Sequence, residues 1–421
     1  MTILTTHQQF TSFRNTLGLY TNFIVCGHSN YEASNEELEI NLKNLIDQRT
    51  LLRSGIKDDK LIQIDVDIKE YYEFSRVPSG DITEILKLLH RIKFNIDGPL
   101  WKLIRHGKYW IVALDHTLYD GTTGLSILIE LFRLFQGYEL IAENPVDIIN
   151  YEYEEFIRST FSQKVTTFYK EDLKGRLSKY LGSWINNDEL YDGDESRVYS
   201  TPRIKDGSDD EGFLRLISVE YETLEKTLKI LKNKGIFFVT LVNYILLKTF
   251  NELSNCNIKL TIPVNLRKFL NIPQETYGLF VSTINIALSP QSGDLFPLLN
   301  QLQTRISLNE QFSSKTLIGL IKHIGNPENF YIVRSKIPRK QTMEVSCLSN
   351  LSHPLINDFI FSQPAHPMAS YLTTSICSND KRTNFMMTGV SELDKEFFDR
   401  FCDEFHANLL TIIKEFNGEK A

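Results

Sequence analysis

One stretch limits what this 421-residue chain can fold into more than any other: Trp110 to Gly124, which reads WIVALDHTLYDGTTG. Trp110 to Leu114 is an apolar, β-prone run without a turn former. Ser126 to Phe135 is an apolar helix bounded upstream by Thr122 and Thr123 as candidate caps. His116 therefore falls at a strand-to-helix corner, where flanking elements hold a side chain still while it faces a cavity, as a general base requires. An imidazole titrates near neutral pH and can take a proton from a hydroxyl, amine or thiol. Asp120 comes four residues later, after a turn, and is not read as a triad partner; a carboxylate there braces the loop through an arginine. Gly121 suits a tight turn and lets another group come close.

Composition narrows the class. With 42% hydrophobic and 24% charged residues the chain is ordinary globular protein, long enough for two lobes. A net charge of -7 leaves no basic excess to neutralise phosphates, so nucleic acid is not expected as a partner. Cys26, Cys256, Cys347, Cys377 and Cys402 are dispersed without a CxxC pair, which reads as reduced thiols in an intracellular protein. The first ten residues have neither a basic nor an apolar signal region, and no apolar run approaches a bilayer-spanning length. A soluble or peripheral protein is expected.

Periodicity supplies the order of elements. Glu36 to Leu52, Ile82 to Leu89 and Tyr151 to Tyr169 read as helices, and Leu61 to Ile68 alternates as a strand. The polar, acidic stretch from Asn186 to Gly212 divides the chain into an N-terminal lobe (1–185), an acidic linker (186–212) and a C-terminal lobe (213–421); a surface insertion within one domain is the competing reading. Beyond it, Phe213 to Val219, Ile258 to Val264 and Val281 to Leu288 read as strands. Tyr221 to Lys234, Thr240 to Leu253, Leu295 to Leu308 and Asp394 to Phe416 read as helices. The last carries an apolar stripe from Phe397 to Ile413 opposite an acidic face, which suits a core helix better than a membrane anchor. His353 and His366 lie in a Pro-rich segment, Ser352 to Pro367, expected to be turns and loops, and none of the eight other histidines has a setting like that of His116.

HTLYDG in this context resembles the HxxxDG acyltransferases: chloramphenicol acetyltransferase, the plant BAHD enzymes, peptide-synthetase condensation domains and, most of all, the fungal alcohol O-acetyltransferases. Arg14 to Phe23 (RNTLGLYTNF) is similar to the usual opening of that group. Thr261 to Arg267 (TIPVNLR) with Tyr277 to Ser282 (YGLFVS) is similar to its second-lobe pattern, and Ser346 to Leu351 (SCLSNL) resembles a later strand, with Ser352 where a glycine is common. The resemblance runs from about residue 10 to about 415. It implies a two-lobed chloramphenicol acetyltransferase-like fold, α/β (α+β), with mixed sheets flanked by helices and the site between the lobes.

It also implies chemistry. His116 would be the catalytic base, Asp120 would pair with Arg267 beside Gly121, and acetyl-CoA would be the co-substrate, with no metal. The competing reading of Asp120 is a helix N-terminal carboxylate meeting the dipole. Ser282, Ser349 and Asn350, with Thr283 and Ser346, are candidates for oxyanion or acceptor contacts, against ordinary strand packing. Without a GxxxxGK or GxGxxG loop, coenzyme A would have to use scattered cations such as Lys336, Arg339, Lys340, Lys381 and Arg382, which otherwise read as a solvated face. The expected activity is acetyl transfer to an alcohol, giving an acetate ester. N-acetylation of a long-chain amino alcohol or sphingoid-base-like compound, for detoxification, is the alternative, and a non-catalytic binding protein that keeps the fold is a third. A monomer is expected, cytoplasmic, with peripheral contact at endoplasmic reticulum or lipid droplets left open.

Overall fold

Burial on both faces of a single strand explains the layering of the first lobe. The computed structural model describes residues 2–17, 22–65, 67–75, 80–142, 150, 153, 155, 212–254, 256, 258–288, 294–312, 342–366 and 369–418. Before the acidic stretch come β1 (Thr2–Ile3), α1 (Thr6–Thr16), β2 (Phe23–His28), α2 (Asn35–Gln48), β3 (Ser54–Lys57), β4 (Lys60–Gln63), β5 (Tyr72–Phe74), α3 (Ile82–Leu89), β6 (Trp101–His106), β7 (Tyr109–Leu114) and α4 (Gly121–Phe135). In β7, Trp110, Val112 and Leu114 pack with Leu125, Leu128 and Phe132 of α4, while Ile111 and Ala113 pack with Ile85 and Leu86 of α3. A strand covered on both faces must be apolar throughout, which is why this run has no polar alternation. Gly124 lets α4 lie close on the sheet, since a Cβ there would meet Val25 at 2.7 Å.

After the acidic stretch come β8 (Phe213–Glu220), α5 (Tyr221–Asn233), α6 (Phe238–Ser254), β9 (Ile258–Asn265), β10 (Val281–Leu288), α7 (Leu295–Phe312), β11 (Met343–Leu351), β12 (Asp358–Ser362), β13 (Leu372–Asn379), β14 (Arg382–Gly389) and α8 (Lys395–Asn417). Six strands form one sheet in the order β10-β9-β11-β13-β14-β8, with β11 parallel to both neighbours and the other pairs antiparallel. One face is apolar: Leu260, Ile284, Val345, Ile376 and Phe385 pack against Leu241, Ile245 and Phe250 of α6 and Phe401, Phe405 and Leu409 of α8. Each such side chain contributes about 1.5–3 kcal/mol over leaving it in water. The opposite face carries Thr261, Asn285, Glu344, Ser346 and Ser375, in register with one another. This polar face meets the first lobe: Asn265 Nδ2 donates to Thr122 Oγ1 at 3.3 Å, and a Cβ on Gly121 would touch Leu348.

The five-stranded sheet of the first lobe has the order β12-β2-β7-β6-β5. Its edge strand β12 comes from beyond residue 213 in sequence and pairs antiparallel with β2, from Asp358↔His28 to Ser362↔Ile24. It lies inside the Pro-rich segment expected to be turns. Phe359 and Phe361 pack with the α4 side of the sheet and Ile360 with the α3 side, so a long-range pairing creates a strand that local composition conceals. A smaller three-stranded sheet has the order β1-β4-β3.

Most elements expected from periodicity are present, α3 with the expected bounds. The strand expected over Leu61 to Ile68 ends at Gln63, because Asp67 accepts from Lys69 N and opens a 3-10 turn, Ile68–Glu70. The helix expected over Glu36 to Leu52 stops at Gln48, and Thr50–Arg53 is a 3-10 turn. The helix expected over Tyr151 to Tyr169 and the linker 186–212 lie outside the described residues apart from 153, 155 and 212. Among the described residues no single helix is long and apolar enough to cross a membrane.

Candidate active site

The corner after β7 is built from its own polar groups. Asp115 N–H donates to Leu100 O at 2.8 Å, closing the hairpin, while the Asp115 carboxylate accepts from Thr117 N–H at 2.8 Å and from the Asn15 amide of α1. Tyr119, buried, donates its hydroxyl to Leu51 O at 2.9 Å. With both sides pinned, His116 Nδ1 lies 2.8 Å from Tyr119 O. A carbonyl oxygen only accepts, so Nδ1 carries the proton and Nε2 is the basic nitrogen. The ring is half-buried and packs on Phe23 at a centroid distance of 5.1 Å. Burial, and then the Arg14 guanidinium, lower its pKa to about 4, with Asp120 acting in the opposite direction. The imidazole is accordingly neutral, in its base form, at neutral pH.

Asp120 joins the two lobes. As the N-cap of α4 it accepts from Thr123 N–H at 2.9 Å, so the helix begins at Gly121 rather than after the expected caps Thr122 and Thr123. The same carboxylate accepts from Arg267 Nη1 at 2.7 Å, Arg267 Nη2 at 3.0 Å and Phe280 N–H at 2.9 Å. Arg267 is 0% exposed and Asp120 3%. Arg267 also donates to Thr276 O, at 3.0 Å from Nε and 2.8 Å from Nη2, to Thr123 Oγ1 at 3.2 Å and to Asn265 Oδ1 at 3.4 Å, and Asp120 N–H donates to Gly278 O at 3.2 Å. Burial opposes the charge on Asp120, but Arg267 outweighs it and the carboxyl is held below its usual range. The two readings of Asp120, cap and ion pair, are both realised in one side chain. Gly121 serves close approach: a Cβ would lie 3.2 Å from Leu348 and 3.4 Å from Phe361. It has no positive φ.

The other sequence candidates divide by strand face. Ser282 is opposite Val264, on the face of Ile284 and Ile286 that packs under α6. The two-residue period therefore turns Ser282 away from the polar face, which Thr283 shares with Thr261 and Asn285. Ser346 lies on the polar face beside Ser375. Ser349 and Asn350 sit on β11, and their side chains lie outside the description, as do Lys336, Arg339 and Lys340. Lys381 donates to Asn357 Oδ1 at 3.1 Å, and Arg382 pairs with Glu220 and, at 3.5 Å, with Asp358. The described residues contain no cluster of His, Cys, Asp or Glu able to hold a metal.

Arg14, which acts on His116, and two titratable groups on which it also acts, His7 and Glu344, escaped the sequence reading. His7, set aside with the other histidines, has Nδ1 3.0 Å from the Tyr153 hydroxyl; burial first, then Arg14 and His116, lower its pKa to about 3. Arg14 acts on His116, Asp115 and Glu344. Glu344 accepts from Gln363 Nε2 at 2.9 Å on the polar face, and burial raises its pKa. Arg14 stands in the quoted opening RNTLGLYTNF, the one available signal. His7 and Glu344 have no local one.

Comparison with known proteins fits this arrangement. A family model described as alcohol acetyltransferase matches residues 233–409, which include TIPVNLR and YGLFVS but not HTLYDG. The structure unites those parts through Asp120 and Arg267. No curated protein matches the chain. Among solved structures, the condensation domain from Monacolin K polyketide synthase is similar with a TM-score of 0.70 at 11% identity, covering 98% of this chain and 97% of that one. The epimerization domain from the third module of tyrocidine synthetase B gives 0.66 at 12%, covering 99% and 98%. A starter condensation domain of rhizomide synthetase, solved with C8-CoA and Leu-SNAC, gives 0.64 at 11%, covering 98% and 94%. The fold is thus the two-lobed chloramphenicol acetyltransferase-like fold.

Proposed function

We propose that this chain, an acyltransferase with an alcohol acetyltransferase match in its second lobe, transfers acetyl from acetyl-CoA to an alcohol, with His116 as general base. The observation that carries this reading is the 2.8 Å bond from His116 Nδ1–H to Tyr119 O, which makes Nε2 the basic nitrogen at the junction of the lobes. Nε2 takes the acceptor's hydroxyl proton as the oxygen attacks the acetyl carbon. The carbon–sulfur bond then breaks, and the same proton passes to the departing thiolate. No acyl-enzyme forms. Holding both substrates between two lobes makes the step effectively unimolecular. Asp120 and Arg267 keep the corner and the second lobe in register.

A second reading, N-acetylation of a long-chain amino alcohol, is favoured by one feature, the Glu344 carboxylate on the polar face, where an ammonium group would find a partner. Both readings are tested by incubating the pure protein with acetyl-CoA and a panel of fusel alcohols and sphingoid amines while following free thiol. Release with alcohols supports ester formation. Release with amines alone overturns it in favour of the amide, and release with neither under any condition leaves the binding-protein reading.

A further inference from the structure

We infer that Glu344 is the specificity-determining residue of an acceptor subsite on β11. It selects alcohols that carry a second hydrogen-bond donor, a hydroxyl or an ammonium group, at a distance from the hydroxyl that reacts. This names the class of acceptor and rests on the reading of the site as an acyltransferase centre. β11 lies third in the six-stranded sheet, flanked by β9 and β13. Its residues Met343 and Val345 are buried in the core under α6 and α8. Glu344, between them, points the other way, in register with Thr261 and Thr373. It is nonetheless only half-buried. A side chain in the middle of a covered sheet keeps accessible surface only where open space lies on its face, so Glu344 marks such space between the sheet and the first lobe.

The carboxylate is held from one side. Gln363 Nε2 donates to Glu344 Oε1 at 2.9 Å, and the buried Ser375 hydroxyl donates to Gln363 Oε1 at 3.0 Å. The Gln363 carbonyl accepts from Thr388 Oγ1 at 3.0 Å. Ser375 thus fixes which way the Gln363 amide faces, and the amide fixes Oε1. Glu344 Oε2 has no hydrogen-bond partner among the described residues. An ionised carboxylate only accepts, so the group that completes it is a donor.

The same face reaches the catalytic corner. Leu348, four residues on from Glu344, would lie 3.2 Å from a Cβ on Gly121. Phe361, two residues before Gln363, would lie 3.4 Å from the same point. Its ring is 6.2 Å from Phe23, on which His116 packs at 5.1 Å. Glu344 stands about 13 Å along β11 from Leu348, at about 3.3 Å per residue. A hydroxyl at His116 and a donor at Glu344 are therefore the two ends of one elongated acceptor. The second donor anchors the molecule and is not acylated.

The test measures kcat/KM by thiol release from acetyl-CoA for plain primary alcohols, α,ω-diols and ω-amino alcohols of matched and increasing chain length. The unmodified chain should favour the bifunctional acceptors by about 10- to 100-fold at one chain length, the worth of a hydrogen bond to a charged group. Glu344→Leu should abolish that preference and leave the plain alcohols nearly unchanged. The ratio is read within each variant, so a loss of folded protein does not alter it. Glu344→Gln separates the two donors. With Oε1 held by Gln363 it turns an amide N–H toward the acceptor, which a hydroxyl can accept and an ammonium cannot, so the diol preference should persist and the amino-alcohol preference vanish. Equal rates for plain and bifunctional alcohols at every length in the unmodified chain overturn the inference, as does a preference that survives in Glu344→Leu. Should no acceptor release thiol, the acyltransferase reading fails by itself, and the subsite is read from the melting shift that the bifunctional alcohols produce. A shift lost in Glu344→Leu supports the subsite, and no difference between the two chains overturns it.

Discussion

Helix α4 is held by an arginine on a carboxylate at two places, and the two ties join different things. Near its C-terminal half Glu130 accepts from Arg49 Nε at 2.8 Å and from Arg49 Nη2, at the end of α2, so this pair lies within one lobe. At its N-terminus Asp120 accepts from Arg267, which belongs to the other lobe. Both pairs are buried and bidentate. Burial makes such pairs poor evidence of net stability, and their value lies in the geometry they secure. At Glu130 that geometry is the packing of α2 on α4. At Asp120 it is the position of the HTLYDG corner relative to the second-lobe sheet, so only the second tie should govern turnover.

The contrast can be broken in order of expected effect. Arg267→Ala strands a buried carboxylate and should cost about 3–5 kcal/mol of stability, read by denaturant unfolding, with turnover falling in the fraction still folded. Exchanging the two charges, Asp120→Arg with Arg267→Asp, should recover part of that stability, whereas a carboxylate serving only as a helix cap predicts no recovery. Arg49→Ala should cost a similar amount of about 3–5 kcal/mol while the folded fraction keeps its kcat, and a collapse of kcat there would erase the distinction. Tyr277 bridges the two cases, since this second-lobe residue donates to Glu130 Oε2 at 2.7 Å. Tyr277→Phe should lose about 1.5–3 kcal/mol, the worth of a bond to a charged group.

Gly121→Ala sharpens the comparison from the packing side. The added methyl must displace Leu348 or Phe361, which should cost about 1–3 kcal/mol and shift the corner enough to lower kcat, visible as a rate loss larger than the loss of folded protein.

Acidification probes the buried rings around the corner rather than the two ties. His116 and His90 have pKa values lowered to about 4, and His7 to about 3, mainly by burial. Between those values and the unfolded value near 6.5 the unfolded chain binds more protons, so stability falls as pH drops through that window. Asp115 and Glu344, raised by burial, work in the opposite sense at the acid end. Melting temperature should therefore decline between about pH 6.5 and 4.5, and a rise over that interval would contradict the burial of these rings.

Much of this site was legible because its chemistry is local. The strand, the histidine and the aspartate follow one another within eleven residues, and the arginine stands in its own short pattern. The faces of α3 and α8 could be read for the same reason, from apolar spacing alone. What stayed hidden depends on partners distant in sequence. β12 is a strand only because β2 offers it a free edge. His7 and Glu344 join the site only when α1 and β11 are folded onto the corner. Ser282 looked as good as Thr283 until the sheet assigned their faces. Lone histidines mislead in the same way: His90 reaches the same lowered pKa as His116, yet its Nε2 lies 2.8 Å from Ser362 Oγ and its Nδ1 faces Asn22 O, which makes it a structural link.

The most direct measurement is the rate of thiol release from acetyl-CoA by His116→Ala with the best acceptor, scaled to folded protein. With the imidazole as base the rate should fall on the order of 10²- to 10⁴-fold while the melting temperature holds. Turnover equal to that of the unmodified chain would contradict it.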